Sequence, residues 1–104
     1  MTLVIVTTTL PTEEAADLLA TRLVEEKLAA CVQVGGPIES TYRWDGAIER
    51  AEEWYCLCKA PAERRDALMA RIKTLHPYEV PEIVAVEASA VAPEYLTWAR
   101  TSLE

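Results

Sequence analysis

The chain has no phenylalanine, and only three glycines, one histidine and three cysteines among its 104 residues. Without Phe, its aromatic area comes from four Tyr and three Trp. Those rings carry a polar tip and suit places where one end meets water or a partner. Three glycines, two of them adjacent, cannot build a phosphate-cradling loop. Cysteines at 31, 56 and 58 are odd in number, do not form a disulfide framework and fit a reducing compartment. Basic residues are scarce too: ten Lys and Arg against 17 Asp and Glu leave a net charge of −7. With no basic run, nucleic acid and membrane surfaces are both poor partners. No apolar stretch approaches the roughly 18 residues that span a bilayer. The opening Thr2-Leu3-Val4-Ile5-Val6 lacks the basic region of a leader peptide, so the expected compartment is the cytoplasm. No Gly-x-Ser-x-Gly elbow or Cys-x-x-Cys pair occurs, and a lone His without a placed nucleophile makes no hydrolase. The chain is not expected to be an enzyme.

What is present reads as globular: 51% hydrophobic and 26% charged residues, at a length that fits one domain spanning 1–104. Residues 2–9 are β-branched and apolar, the mark of a buried strand. Thr12, Glu13 and Glu14 suit a helix start, and Ala16, Leu19, Ala20 and Leu23 then recur at helical spacing to about Lys27. A second apolar run at 29–34 meets Gly35-Gly36-Pro37, which predicts a bend or bulge. Beyond it Ile38, Ser40, Tyr42 and Trp44 share one face. Asp45-Gly46 supplies the positive φ angles of a type I′ hairpin turn, pairing Trp44 with Ala47 and Tyr42 with Glu49. The returning strand runs to about Lys59. Pro61 is expected to open a second helix with Leu68, Ile72 and Leu75 inward. His76-Pro77 should end it. A strand at 83–88 and a terminal helix from Pro93 follow.

The order β-α-β-β-α-β plus a terminal helix predicts an α+β, ferredoxin-like sandwich with both crossing helices on one face of a four-stranded sheet. The other face then needs cover, with Val4 and Val6 as expected examples of its apolar residues. Each hairpin arm holds roughly 12 to 15 residues against a usual strand of about 5 or 6, so the ribbon should overhang the body. Tyr42, Trp44 and Trp54 on that ribbon are expected to anchor a subunit interface.

Leu28-Ala29-Ala30-Cys31-Val32, Ser40-Thr41-Tyr42-Arg43-Trp44-Asp45-Gly46, His76-Pro77-Tyr78-Glu79-Val80-Pro81-Glu82-Ile83 and Tyr95-Leu96-Thr97-Trp98 occur in that order. Together with Glu53 followed by Lys59, this pattern resembles the divalent-cation tolerance (CutA) family over nearly the whole chain. The resemblance implies a tight homotrimer and a link to tolerance of divalent metals, copper above all. It also implies likeness in shape to PII signalling trimers, which bind small ligands between subunits. No organic cofactor is expected.

His76 with Glu79 and Glu82 could form a His/carboxylate cation site, with Cys31 approaching it in the fold; imidazole and thiolate suit copper or zinc. The alternative is that His76 caps the second helix through its last carbonyls. Cys56 and Cys58 share one side of a strand; such a pair can bind a soft ion, but in the middle of a core strand it reads as core. Glu53 and Lys59 share a strand face and could pair across a subunit boundary or line a cleft, with Tyr78 as a further cleft candidate.

Overall fold

The computed structural model describes residues 2–104. Its elements are β1 (Leu3–Leu10), α1 (Glu13–Glu25), β2 (Cys31–Trp44), β3 (Ala47–Pro61), a 3-10 turn (Ala62–Arg64), α2 (Arg65–Leu75), β4 (Val84–Glu87) and α3 (Pro93–Thr101). The four strands form one antiparallel sheet in the order β2-β3-β1-β4. This is the ferredoxin-like arrangement.

Local chemistry sets the helix ends. The Thr12 hydroxyl accepts the Ala15 amide at 3.1 Å, which satisfies one of the free donors of α1. Glu13 and Glu14 sit in the first turn, against the positive end of the helix dipole. At the other end Lys27 turns the chain with φ 60°, so α1 stops at Glu25 rather than at Lys27.

The core lies between the sheet and its two crossing helices. Val4, Val6, Leu10, Cys56, Cys58 and Ala60 meet Ala16, Leu19, Leu23, Leu68 and Ile72 there. Val4 and Val6 thus face the helices, not the uncovered side. Register decides this: Val6 pairs with Cys58 and Val4 with Ala60, and side chains alternate along each strand. The open face carries Ile5 opposite Val86 and Thr7 opposite Val84. Both β4 valines are more than half exposed.

Pro61 is not the first residue of α2: it stays extended and caps the 3-10 turn Ala62–Arg64 that leads into that helix. It still pairs with Leu3 at the end of β3, with ψ 145°, and the ladder continues as Ala62 N–H donates to Thr2 O at 2.9 Å. Proline is tolerated at that strand end, and α2 begins only at Arg65.

The hairpin arms hold 14 and 15 residues. Asp45 and Gly46 take φ 50° and 80°, and Trp44 pairs with Ala47 and Tyr42 with Glu49. The register shifts between Gly35 and Ile38, where the ribbon bends away from the body. At about 3.4 Å per residue such a ribbon runs the length of the molecule. The chain measures 45 × 26 × 22 Å with a radius of gyration of 14.2 Å. A compact chain of this length would have about 13 Å.

Candidate functional site

A cleft of about 780 Å³ runs along the hairpin, from Glu53 at its base to Trp44 beside the turn, against the loop that follows α2. Two strands and that loop build it. On β2 and β3 the pairs Ile38–Glu53, Ser40–Ala51 and Tyr42–Glu49 are in register, so Ser40, Tyr42, Trp44 and Glu53 project to the same face. The loop contributes Tyr78, Glu79, Val80 and Glu82.

His76 holds the loop in place. It is the last residue before Pro77, and the proline forces it out of helical conformation to φ −75°, ψ 137°. Its side chain is buried. The Tyr78 amide donates to Nδ1 at 3.1 Å, so that nitrogen carries no proton. Nε2–H therefore donates to the Thr9 carbonyl at 2.8 Å. Burial pushes the imidazole pKa below its usual value, although the Thr9 carbonyl and the charge of Glu53 oppose this. The ring is a neutral strut between β1 and the loop.

The strut sets Tyr78. Its ring lies 4.9 Å from that of His76, and its hydroxyl donates to Glu53 Oε2 at 2.8 Å. Burial first, then the Glu53 carboxylate, pushes the phenol up to about 12. Glu53 is only 7% exposed at the back of the cleft, an unusual place for a carboxylate unless it is hydrogen-bonded.

Of the expected site residues, Glu53, Tyr78, Glu79, Glu82, Tyr42 and Trp44 line this one cleft. His76 stands behind its wall and bonds a β1 carbonyl, not the last carbonyls of α2. Cys31 does not approach His76 within the chain: it pairs in register with Lys59 at the other end of the hairpin, beside Tyr95. Lys59 is six residues from Glu53, roughly 20 Å along an extended strand, and takes no part in the cleft. Trp54 points to the core side, half-buried against the core cluster, and is no exposed interface anchor in the single chain. Cys56 and Cys58 are fully buried there, with thiols pushed up to about 11 and about 12 by burial. Among the described residues no three His, Cys, Asp or Glu side chains converge as a metal site. Thr9 was not legible as a site residue, because it acts through its backbone carbonyl, which no side-chain pattern marks.

The chain matches the family described as CutA1 divalent ion tolerance protein over residues 4–102. It is 44% identical to the divalent-cation tolerance protein CutA of Thermus thermophilus over 92% of this chain and 93% of that one. A rice relative, Protein CutA 1, chloroplastic, is 36% identical over 95% of this chain and 56% of its own length. The crystal structure of CutA from Xylella fastidiosa superposes with a TM-score of 0.96 at 39% identity, over 100% of both chains.

Proposed function

The chain belongs to the CutA1 divalent ion tolerance family, and from that premise we propose that it serves divalent-cation tolerance without catalysis, as a cytoplasmic homotrimer whose cation-facing site is the cleft under the hairpin. The observation that carries this reading is the lining. Glu53, Glu79 and Glu82 supply three carboxylates, and no Lys, Arg or His lines the cleft. A concave surface of one charge sign concentrates ions of the other.

The residues present discriminate between kinds of metal site. A copper or zinc centre on His76 and Cys31 does not fit one chain, since both imidazole nitrogens are engaged and the thiol lies elsewhere. Carboxylate oxygens suit harder ions, and because Glu53, Glu79 and Glu82 line the cleft without converging within one chain, a second copy would have to supply donors to complete a coordination shell. Copper, which the family resemblance puts first, would meet those same oxygens here.

Assembly is supported by what a single chain leaves exposed. Tyr42, Trp44 and Ile48 along the hairpin are each more than 40% exposed, and Val84 and Val86 lie uncovered on the open sheet face. Apolar surface of this extent marks an interface. A copy number of three is what the family resemblance implies.

Calorimetric titration of chelator-stripped, tag-free protein with Cu²⁺ and with Mn²⁺ at neutral pH tests the cation reading. Heat that disappears in Glu79→Gln/Glu82→Gln and persists in His76→Gln is the expected result. The absence of heat with either ion, or loss of heat only in the His76 variant, counts against it.

A further inference from the structure

Two charges of opposite sign on the open sheet face have no counter-ion within the chain. β3 presents Glu53, Tyr55, Leu57 and Lys59 to that face in a row, and the stretches of β1, β2 and β4 beside them add only neutral side chains to it. Glu53 is 7% exposed. Its Oε2 accepts the Tyr78 hydroxyl, and its Oε1 accepts no hydrogen bond among the described residues. Lys59 is half-buried, flanked in register by Ile5 and Cys31. Its ammonium joins none of the ion pairs among the described residues. Roughly 20 Å of strand keeps the two apart in one chain.

Assembly makes this arrangement consequential. The same face carries the exposed Val84 and Val86, so a sister copy that covers them also takes Glu53 and Lys59 out of water. A charge buried without a partner is strongly destabilising, so each needs an opposite charge from the neighbouring copy. Other cations are badly placed to answer Glu53. Arg43 and Arg50 alternate to the opposite face of the hairpin, and the arginines of α1 and α2 lie across the sheet. In a closed ring of identical copies every interface repeats the same contacts, so one acid and one base per copy leave no charge over.

We infer that Lys59 of one copy donates to the free Oε1 of Glu53 in the next copy, so that a sister subunit occupies the base of the cleft. This contact rests on assembly through the open face, and it leaves Glu79 and Glu82 as the carboxylates open to a divalent ion. It also sets how far one sheet slides along the next, because a displaced neighbour would leave both charges bare.

A double-mutant cycle on the assembled full chain tests the contact. Glu53→Gln removes the charge and keeps an acceptor for Tyr78; Lys59→Met removes the ammonium and keeps most of the stem. Urea midpoints are read at one protein concentration, with sedimentation velocity reporting assembly. Each single variant leaves the other charge buried alone and should lower the midpoint by roughly 1 M. The double variant removes both charges and should recover at least about half of that loss. The same cycle between Glu82→Gln and Lys59→Met should be additive.

Additive losses for Glu53 and Lys59, or single variants with unchanged midpoints, overturn the inference. Coupling of Lys59 to Glu82 in place of Glu53 overturns it too. A parent that sediments as a monomer sinks the assembly reading and this contact with it. A parent that assembles, but whose Glu53 and Lys59 variants add, sinks the contact alone.

Discussion

At the scale of single residues, one polar chain organises the site: the Thr9 carbonyl, the His76 ring, the Tyr78 amide and hydroxyl, and the Glu53 carboxylate. Tyr78→Phe leaves Glu53 buried without its donor, which should destabilise the protein by about 1–3 kcal/mol in chemical denaturation. An unchanged midpoint would show that water replaces the hydroxyl at no cost. His76 gives a pH signature. Its folded pKa lies below the ordinary 6.5, so the unfolded chain binds the proton more readily. Its stabilisation is complete above about pH 6.5 and is lost as pH falls from there through the lowered value. At fixed protein concentration, the urea midpoint should fall between pH 7 and pH 5 more steeply in the parent than in His76→Gln. Parallel slopes would rule out His76 as the cause. The buried thiols make a third case. Under native conditions no more than one thiol per chain, Cys31, should react with a disulfide reagent at neutral pH, because Cys56 and Cys58 are sequestered as inert thiols. All three should react after unfolding.

At the scale of elements, the bend at Gly35–Ile38 sets the angle at which the hairpin leaves the body and hence the shape of the cleft. Gly36 has φ +142°, and a Cβ there would lie 2.8 Å from Trp54 Cδ1 and 3.0 Å from the Glu53 carbonyl. Gly36→Ala should therefore cost about 2–3 kcal/mol and disturb Glu53 along with it. A thermal scan with the stability of Glu49→Gln as a surface control measures this. Much at this level was readable beforehand. Thr12 as a cap, Asp45-Gly46 as a hairpin turn and Pro77 as the end of α2 are decided by a few neighbouring atoms, so a local pattern reveals them. Pro61 misled because proline's missing amide suits both a helix start and the last rung of a ladder. Only the pairing partner, Leu3, tells the two apart.

At the scale of the whole molecule, the hairpin makes the single chain an incomplete object. All ten positions from Thr41 to Arg50 are exposed, aromatic and aliphatic residues among them. Trp44→Ser/Ile48→Asp removes apolar surface that is more than half exposed in the single chain, so the fold should survive while assembly weakens. Sedimentation equilibrium should show a trimer for the parent and lighter species for the double variant at the same micromolar concentration. A parent that sediments as a monomer would refute the assembly. The cleft runs along this ribbon from Glu53 to Trp44, which ties its shape to the placement of the arm.

Composition, periodicity and turn chemistry, read along the chain, settled the order of elements, the overhanging ribbon and the acidic, base-poor character of the surface. Each depends on residues close in sequence or on simple counts. Folding alone decided which face of β1 meets the helices, and that His76 is a strut while Cys31 and Lys59 lie a strand's length from Glu53. Those outcomes depend on strand register and on a backbone carbonyl at Thr9, and neither leaves a trace in the identity of the residues involved.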